Sequence, residues 1–260
     1  EEESFFQINS DAKAIAVSAD SRYLVSGDCN QNIKLYDILN QTTQWSKHIG
    51  GDDCIFSVAI SSDGQYIVTG HSYNSNQARV YLFSKDSNSP IWSYDTGSSR
   101  INHVTISLDG STIAALAQDG SSGADLYVFD ISSSTPLWSK STSSTMEGLE
   151  VSGDGSYIFL NGRHINNAQN SALVVFSRSS STPLWTASTG STSNDCCWYE
   201  NERNTVAISL DGEYITVVRR NSVFLYDIES SLPIWTYQIP NAPTTERFYD
   251  VDISKDGKII

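Results

Sequence analysis

Hydrophobic and polar residues alternate with a period of two along most of the chain, and no stretch shows the 3.6-residue period of an amphipathic helix. One alternating line recurs six times: "AIAVSADSRYLVSG" from Ala14, "SVAISSDGQYIVTG" from Ser57, "HVTISLDGSTIAAL" from His103, "GLEVSGDGSYIFLN" from Gly148, "TVAISLDGEYITVV" from Thr205 and "DVDISKDGKII" from Asp250. Two alternating runs joined at a tight turn, Asp-Gly in every copy but the first (Asp20-Ser21), whose glycine supplies the positive φ that a tight hairpin requires, predict a pair of antiparallel strands in each copy. The turn aspartates are Asp20, Asp63, Asp109, Asp154, Asp211 and Asp256, with gaps of 43, 46, 45, 57 and 45 residues.

A second line recurs five times: "IKLYDILNQTTQW", "VYLFSKDSNSPIW", "LYVFDISSSTPLW", "LVVFSRSSSTPLW" and "VFLYDIESSLPIW". Its aromatic (Tyr36, Phe83, Phe129, Phe176, Tyr226) always stands nine residues before its tryptophan (Trp45, Trp92, Trp138, Trp185, Trp235). Pro90, Pro136, Pro183 and Pro233 precede the last run, where a missing N–H costs little. Each unit of about 45 residues therefore predicts four short strands, a to d, which is a β-propeller blade. The expected fold is all-β, a single propeller domain over residues 1–260 with repeats beginning near 14, 57, 103, 148, 205 and 250. Tryptophan and strand-c aromatics are expected to pack between neighbouring blades, each burying roughly 150–250 Å².

Ser4–Ile8 reads as an outermost strand d without a blade of its own, and Val251–Ile260 as strand a and the start of strand b of a further blade. Five full blades and a partial one predict a six- or seven-bladed ring in a polypeptide that continues past Ile260, since an open sheet edge invites aggregation.

The Ser-x-Asp-Gly-x-Tyr-Ile half of the unit resembles WD40 and YVTN-type repeats, and the Pro-Ile/Leu-Trp half resembles the tryptophan-bearing repeats of quinoprotein (PQQ) propellers. The Trp-Asp and Gly-His pairs of true WD40 blades are absent, with Tyr-Asp, Phe-Ser or Phe-Asp in place of the former. The resemblance implies the propeller fold and leaves the chemistry open.

Thirty acidic residues against sixteen basic ones give a net charge of -14, and no basic patch forms, so a nucleic-acid partner is not expected. No apolar run reaches 18 residues, so direct membrane insertion is not expected either. Ser-rich loops, acidity and an even number of cysteines favour an extracellular or cell-surface setting, with a cytoplasmic one as the alternative.

In a propeller the a–b and c–d turns share one face, here called the bottom, and the b–c and d–a loops share the top. The bottom turns repeat almost unchanged, whereas the top loops differ: "HSYNSNQ" at 71–77, "QDGSSGA" at 118–124, "GRHINNAQNS" at 162–171 and "TGSTSNDCCWYENERN" at 189–204. Variable loops on a rigid scaffold are where binding resides, and Arg163, His164, Trp198, Tyr199 and Glu200 are the expected contacts with a partner or ligand. The bland alternative is drift in tolerant Ser/Asn loops. All four cysteines fall on the top face, and of three connectivities Cys29–Cys54 with Cys196–Cys197 is geometrically easiest. Two free thiols at 196 and 197 are the alternative to that strained second ring.

The expected function is a noncatalytic scaffold or recognition module with other proteins as partners, no catalytic residue, no cofactor and no metal. Two enzyme classes compete. The quinoprotein resemblance implies that Cys196-Cys197 would stack on PQQ, but the calcium ligands and catalytic aspartate of that family find no match here. A propeller hydrolase or lactonase would need a metal, for which His71, His103 and His164 are candidates without ligand-like spacing. The Asp-Gly turns lack the alternating ladder of a calcium loop and read as hairpin chemistry.

Overall fold

The computed structural model describes residues 11–50, 54–71, 77–98, 100–118, 123–142, 146–162, 170–191, 206–219, 221–240, 248, 250–254 and 257–260. Among these every regular element is a strand, in five antiparallel sheets of four. Blade one is β1 (Ala12–Val17), β2 (Tyr23–Asp28), β3 (Asn32–Asp37) and β4 (Thr42–His48). Blade two is β5 (Ser57–Ile60), β6 (Tyr66–His71), β7 (Arg79–Ser84) and β8 (Trp92–Asp95); blade three is β9 (Arg100–Ile106), β10 (Thr112–Gln118), β11 (Ala124–Asp130) and β12 (Trp138–Thr142). Blade four is β13 (Met146–Val151), β14 (Tyr157–Gly162), β15 (Asn170–Ser177) and β16 (Pro183–Ser191); blade five is β17 (Val206–Ile208), β18 (Tyr214–Arg219), β19 (Ser222–Asp227) and β20 (Pro233–Gln238). Each strand pairs with the next in sequence, so the four runs of the repeat are strands a to d. The first strands of successive sheets lie side by side, β1 by β5, β5 by β9, β9 by β13 and β13 by β17, which makes an inner row from which the blades radiate.

The a–b hairpin closes the same way in every blade. A buried serine (Ser18, Ser61, Ser107, Ser152, Ser209) donates its hydroxyl to the aspartate two residues on, at 2.5 to 2.7 Å. The same oxygen accepts the backbone N–H five residues on at 3.0 Å, from Tyr23, Tyr66, Thr112, Tyr157 or Tyr214. The aspartate then accepts the N–H two residues further, from Arg22, Gln65, Ser111, Ser156 or Glu213. Gly64, Gly110, Gly155 and Gly212 supply the positive φ at the next position, and Ser21 adopts it in blade one. Neighbouring turns are tied by backbone bonds from Ala19 to Ser62, from Ser62 to Leu108 and from Asp109 to Gly153.

Between blades the tryptophan acts as a clamp. Trp45, Trp92, Trp138 and Trp185 each donate the indole Nε1–H to a backbone carbonyl of the next blade: Lys85, Ile131, Arg178 and Ile228, at 2.9, 2.9, 2.7 and 2.7 Å. Each indole also packs on the next blade's strand-c aromatic, Trp45 on Phe83, Trp92 on Phe129, Trp138 on Phe176 and Trp185 on Tyr226, with ring centroids 5.4 to 6.0 Å apart. The core is divided accordingly into clusters that straddle successive blade pairs, with aliphatics of strands a, b and c such as Val104, Ile113 and Leu82 sealed between sheets. Where strand b comes closest to the next blade, side chains are excluded: a Cβ on Gly27 would meet Ile55 at 2.4 Å, and one on Gly70 would meet Ile101 at 2.3 Å.

Beyond blade five, Val251–Ser254 and Gly257–Ile260 form none of the five sheets, but the hairpin is present: Ser254 N–H bonds to the Ile259 carbonyl and Gly257 N–H to the Ser254 carbonyl. The strand anticipated at Ser4–Ile8 lies outside the described residues.

Candidate functional site

The antiparallel meander puts the serine–aspartate turns and the c–d turns at one end of the blades and the b–c and d–a loops at the other. At the bottom, polar side chains are consumed by the turns themselves. The Ser18 hydroxyl and the Arg22 amide hold the Asp20 carboxyl below the usual carboxylate range. Burial pulls Asp109 and Asp154 the other way, but the hydroxyls of Ser107 and Ser152 and the amides of Ser111 and Ser156 outweigh it and keep both lowered. The c–d turns repeat the device, Asp130 accepting the Ser132 hydroxyl and amide and pairing with Arg178 of the next blade. These carboxylates are saturated with internal donors, which is hairpin chemistry rather than a cation site.

The top of blades one and two is a pinned corner. Asp28, buried at the end of β2, accepts the amides of Asn30 and Asn32 and shapes the b–c loop. From that loop Cys29 reaches Cys54 in the d–a segment, and the two are joined by a disulfide with Sγ atoms 1.98 Å apart and Cα atoms 3.8 Å apart. Ile55 N–H bonds to the Asp28 carbonyl beside the bridge. His71, buried at the end of β6, has Nε2 2.5 Å from the Gly50 carbonyl oxygen and its ring edge-on to Tyr81. Toward blade three, the Arg100 guanidinium lies over the Phe56 ring at 4.9 Å, and the Asn102 side-chain amide donates to Gln118 Oε1.

Arg163, His164, Cys196, Cys197, Trp198, Tyr199 and Glu200 all lie outside the described residues, as do most of the loops at 71–77, 118–124, 162–171 and 189–204. His71 and His103 sit on different strands, β6 and β9, and among the described residues no group of three or more His, Cys, Asp or Glu is placed to hold a metal ion. Repeat alignment puts Glu150 of β13 where the other copies carry Ala16, Ala59, Thr105, Ala207 and Asp252. Its carboxyl accepts the Thr105 hydroxyl of blade three, and burial, with a smaller push from Asp252, raises its pKa to about 7. That departure was visible in the aligned repeats, but the strand's burial and neighbours were not.

Radiating four-stranded blades clamped by tryptophan define the chain as a β-propeller of PQQ-like repeats, with structural likeness to WD40 propellers. It belongs to the family described as outer membrane protein assembly factor BamB, whose model matches residues 13–252. Two solved structures share the fold. Hydrazine synthase of Kuenenia stuttgartiensis is 17% identical with a TM-score of 0.68, over 95% of this chain and 78% of that one. A chain of the mitotic checkpoint complex is 16% identical with a TM-score of 0.70, over 95% of this chain and 72% of the other. No curated protein sequence matches the chain.

Proposed function

We propose that the protein is a noncatalytic propeller that recognises other proteins through its top face, in an extracytoplasmic setting at the cell surface or envelope. The observation that carries this reading is the division between the faces. The a–b turns reproduce one hydrogen-bond pattern in five blades and leave their polar groups internally satisfied, while the departures in loop length and chemistry fall among the top loops. Arg163, His164, Trp198, Tyr199 and Glu200 supply the contacts: two aromatics for buried anchoring and charged groups for register. The disulfide between Cys29 and Cys54 supports an oxidising compartment, and the family's description as an outer membrane assembly factor agrees with that setting. No helix among the described residues is long and apolar enough to cross a membrane. The partners are other proteins of an assembly rather than nucleic acid, given the net charge of -14.

The test is a double substitution, Trp198→Ala with Tyr199→Ala, in the natural polypeptide isolated from its own cells under mild cross-linking. Loss of the cross-linked species with an unchanged melting temperature is expected. Retention of every species by a folded variant contradicts the reading.

A further inference from the structure

Among the bottom turns, the c–d turn of blade one leaves the repeat. Aligned on the strand-c aromatic it reads Leu39-Asn40-Gln41-Thr42-Thr43. Blades two to five carry an acid or a serine at the first of these positions (Asp86, Ser132, Ser179, Glu229), a serine at the second and a proline at the last. Two of the departures act on one motif. Asparagine in place of serine creates Asn40-Gln41-Thr42, the one Asn-x-Ser/Thr triplet in the chain, and threonine in place of proline removes the rigid ring that would follow it directly. A bare triplet of this kind carries little, and the structure of the turn carries more.

Asp37 ends β3 with its side chain buried and organises the turn: its carboxylate accepts the Asn40 backbone amide at 3.0 Å and the Asn40 side-chain amide at 2.9 Å. Gln41 follows with a positive φ of 54°, and residues 39–44 are all exposed. Asn40 Nδ2 therefore stands at the tip of a fixed turn with one hydrogen held by Asp37 and a second facing away from that bond. Leu39 beside it is 73% exposed, an apolar side chain where the other four turns are polar. Cover over that side chain is favourable, and a sugar ring offers C–H groups on its faces for the purpose while its hydroxyls stay in water.

We propose that Asn40 is the attachment site of an N-linked oligosaccharide. Its Nδ2 attacks the anomeric carbon of a saccharide carried on a lipid phosphate. The bond from that carbon to the phosphate oxygen breaks and the carbon–nitrogen bond forms; the lipid phosphate leaves with the electron pair, one amide proton passes to a base, and Nδ2 keeps one N–H. The exposed Thr42 hydroxyl is the group by which a transferase recognises the site. The proposal rests on the extracytoplasmic setting proposed above, which the Cys29–Cys54 bridge also supports, because this modification belongs to exported proteins. A saccharide on this c–d turn lies at the opposite end of the blade from the top loops and leaves them clear for a partner.

Fragmentation mass spectrometry of the peptide holding Asn40, in the natural protein isolated from its own cells, tests this. Protease sensitivity in cells whose cytoplasmic membrane is intact reports the compartment in parallel. A saccharide mass on Asn40 is expected, lost in Thr42→Ala, which keeps the asparagine, and retained in Thr42→Ser; both variants replace an exposed side chain and should keep the melting temperature. A mass on Asn40 that persists in Thr42→Ala overturns the proposal, since transfer directed by the triplet needs the hydroxyl. Unmodified Asn40 in a protein that the protease reaches overturns the proposal and leaves the compartment standing. Unmodified Asn40 in a protein that the membrane protects overturns both.

Discussion

The two ends of these blades are made from one repeat and have come to differ. At the bottom, Ser107, Asp109 and the Ser111 amide form the same closed set as Ser152, Asp154 and the Ser156 amide one blade later, and the turns bond to one another. At the top, blade one ends in a disulfide-pinned loop, blade two in a buried histidine, and blade three in an Asn102–Gln118 pair. Where the repeat is kept, its polar groups hold the fold by one shared pattern; where it is abandoned, each blade closes its top by a device of its own.

That contrast can be broken by substitutions that should separate stability from binding. The largest effect is expected at the blade clamp. Trp138→Ala removes an indole packed on Phe176 and its bond to the Arg178 carbonyl, and should cost about 3–5 kcal/mol in urea unfolding without a change in top-face binding beyond the unfolded fraction. Next comes the pinned corner: reduction of the Cys29–Cys54 bridge, which spans 25 residues, should lower stability by about 3 kcal/mol, the one large stability effect expected from a top-face element.

Smaller losses belong to the bottom turns. Ser107→Ala leaves Asp109 and the Thr112 amide each short of a partner and should cost about 1–2 kcal/mol with binding intact. The lowered carboxyls of Asp20, Asp109 and Asp154 bind protons more weakly folded than unfolded. Their contribution is present above the unfolded value of about 4 and is lost as pH falls through the folded values, so unfolding midpoints should drop in that acid range. Glu150 has the opposite sign, its folded pKa raised to about 7, so stability should decline as pH rises from about 4.5 through 7. Glu150→Gln should flatten that decline, with its gain over the parent greatest above pH 7 and absent at pH 4. The smallest stability effect, within about 0.5 kcal/mol, is expected for Trp198→Ala with Tyr199→Ala.

Blade architecture was legible because its signals are local: alternation, an Asp-Gly turn, and an aromatic nine residues before a tryptophan. The same spacing marks Trp92 and Trp138 as core, but not their acceptors, since those bonds join residues 39 and 40 positions apart across a blade boundary. The serine of Ser-x-Asp-Gly reads as a polar position of a strand, and its double role appears only when the hairpin folds the Tyr66 amide back onto Ser61. Nothing in the alternation singles out Glu150, whose bond from the Thr105 hydroxyl depends on β9 and β13 standing side by side. Of the proposed contact residues, Arg163, His164, Trp198, Tyr199 and Glu200 rest on sequence position and loop chemistry, because the fold's repeat rules say nothing about residues that depart from it.

The most direct test of the division between the faces is site-specific photo-cross-linking in the native cell. A benzophenone amino acid is placed at Tyr199, a proposed top-face contact, or at Ser134 in the c–d turn of blade three at the bottom. Discrete protein adducts from position 199 and none from position 134 are predicted. Adducts from position 134 with none from position 199 would contradict the account.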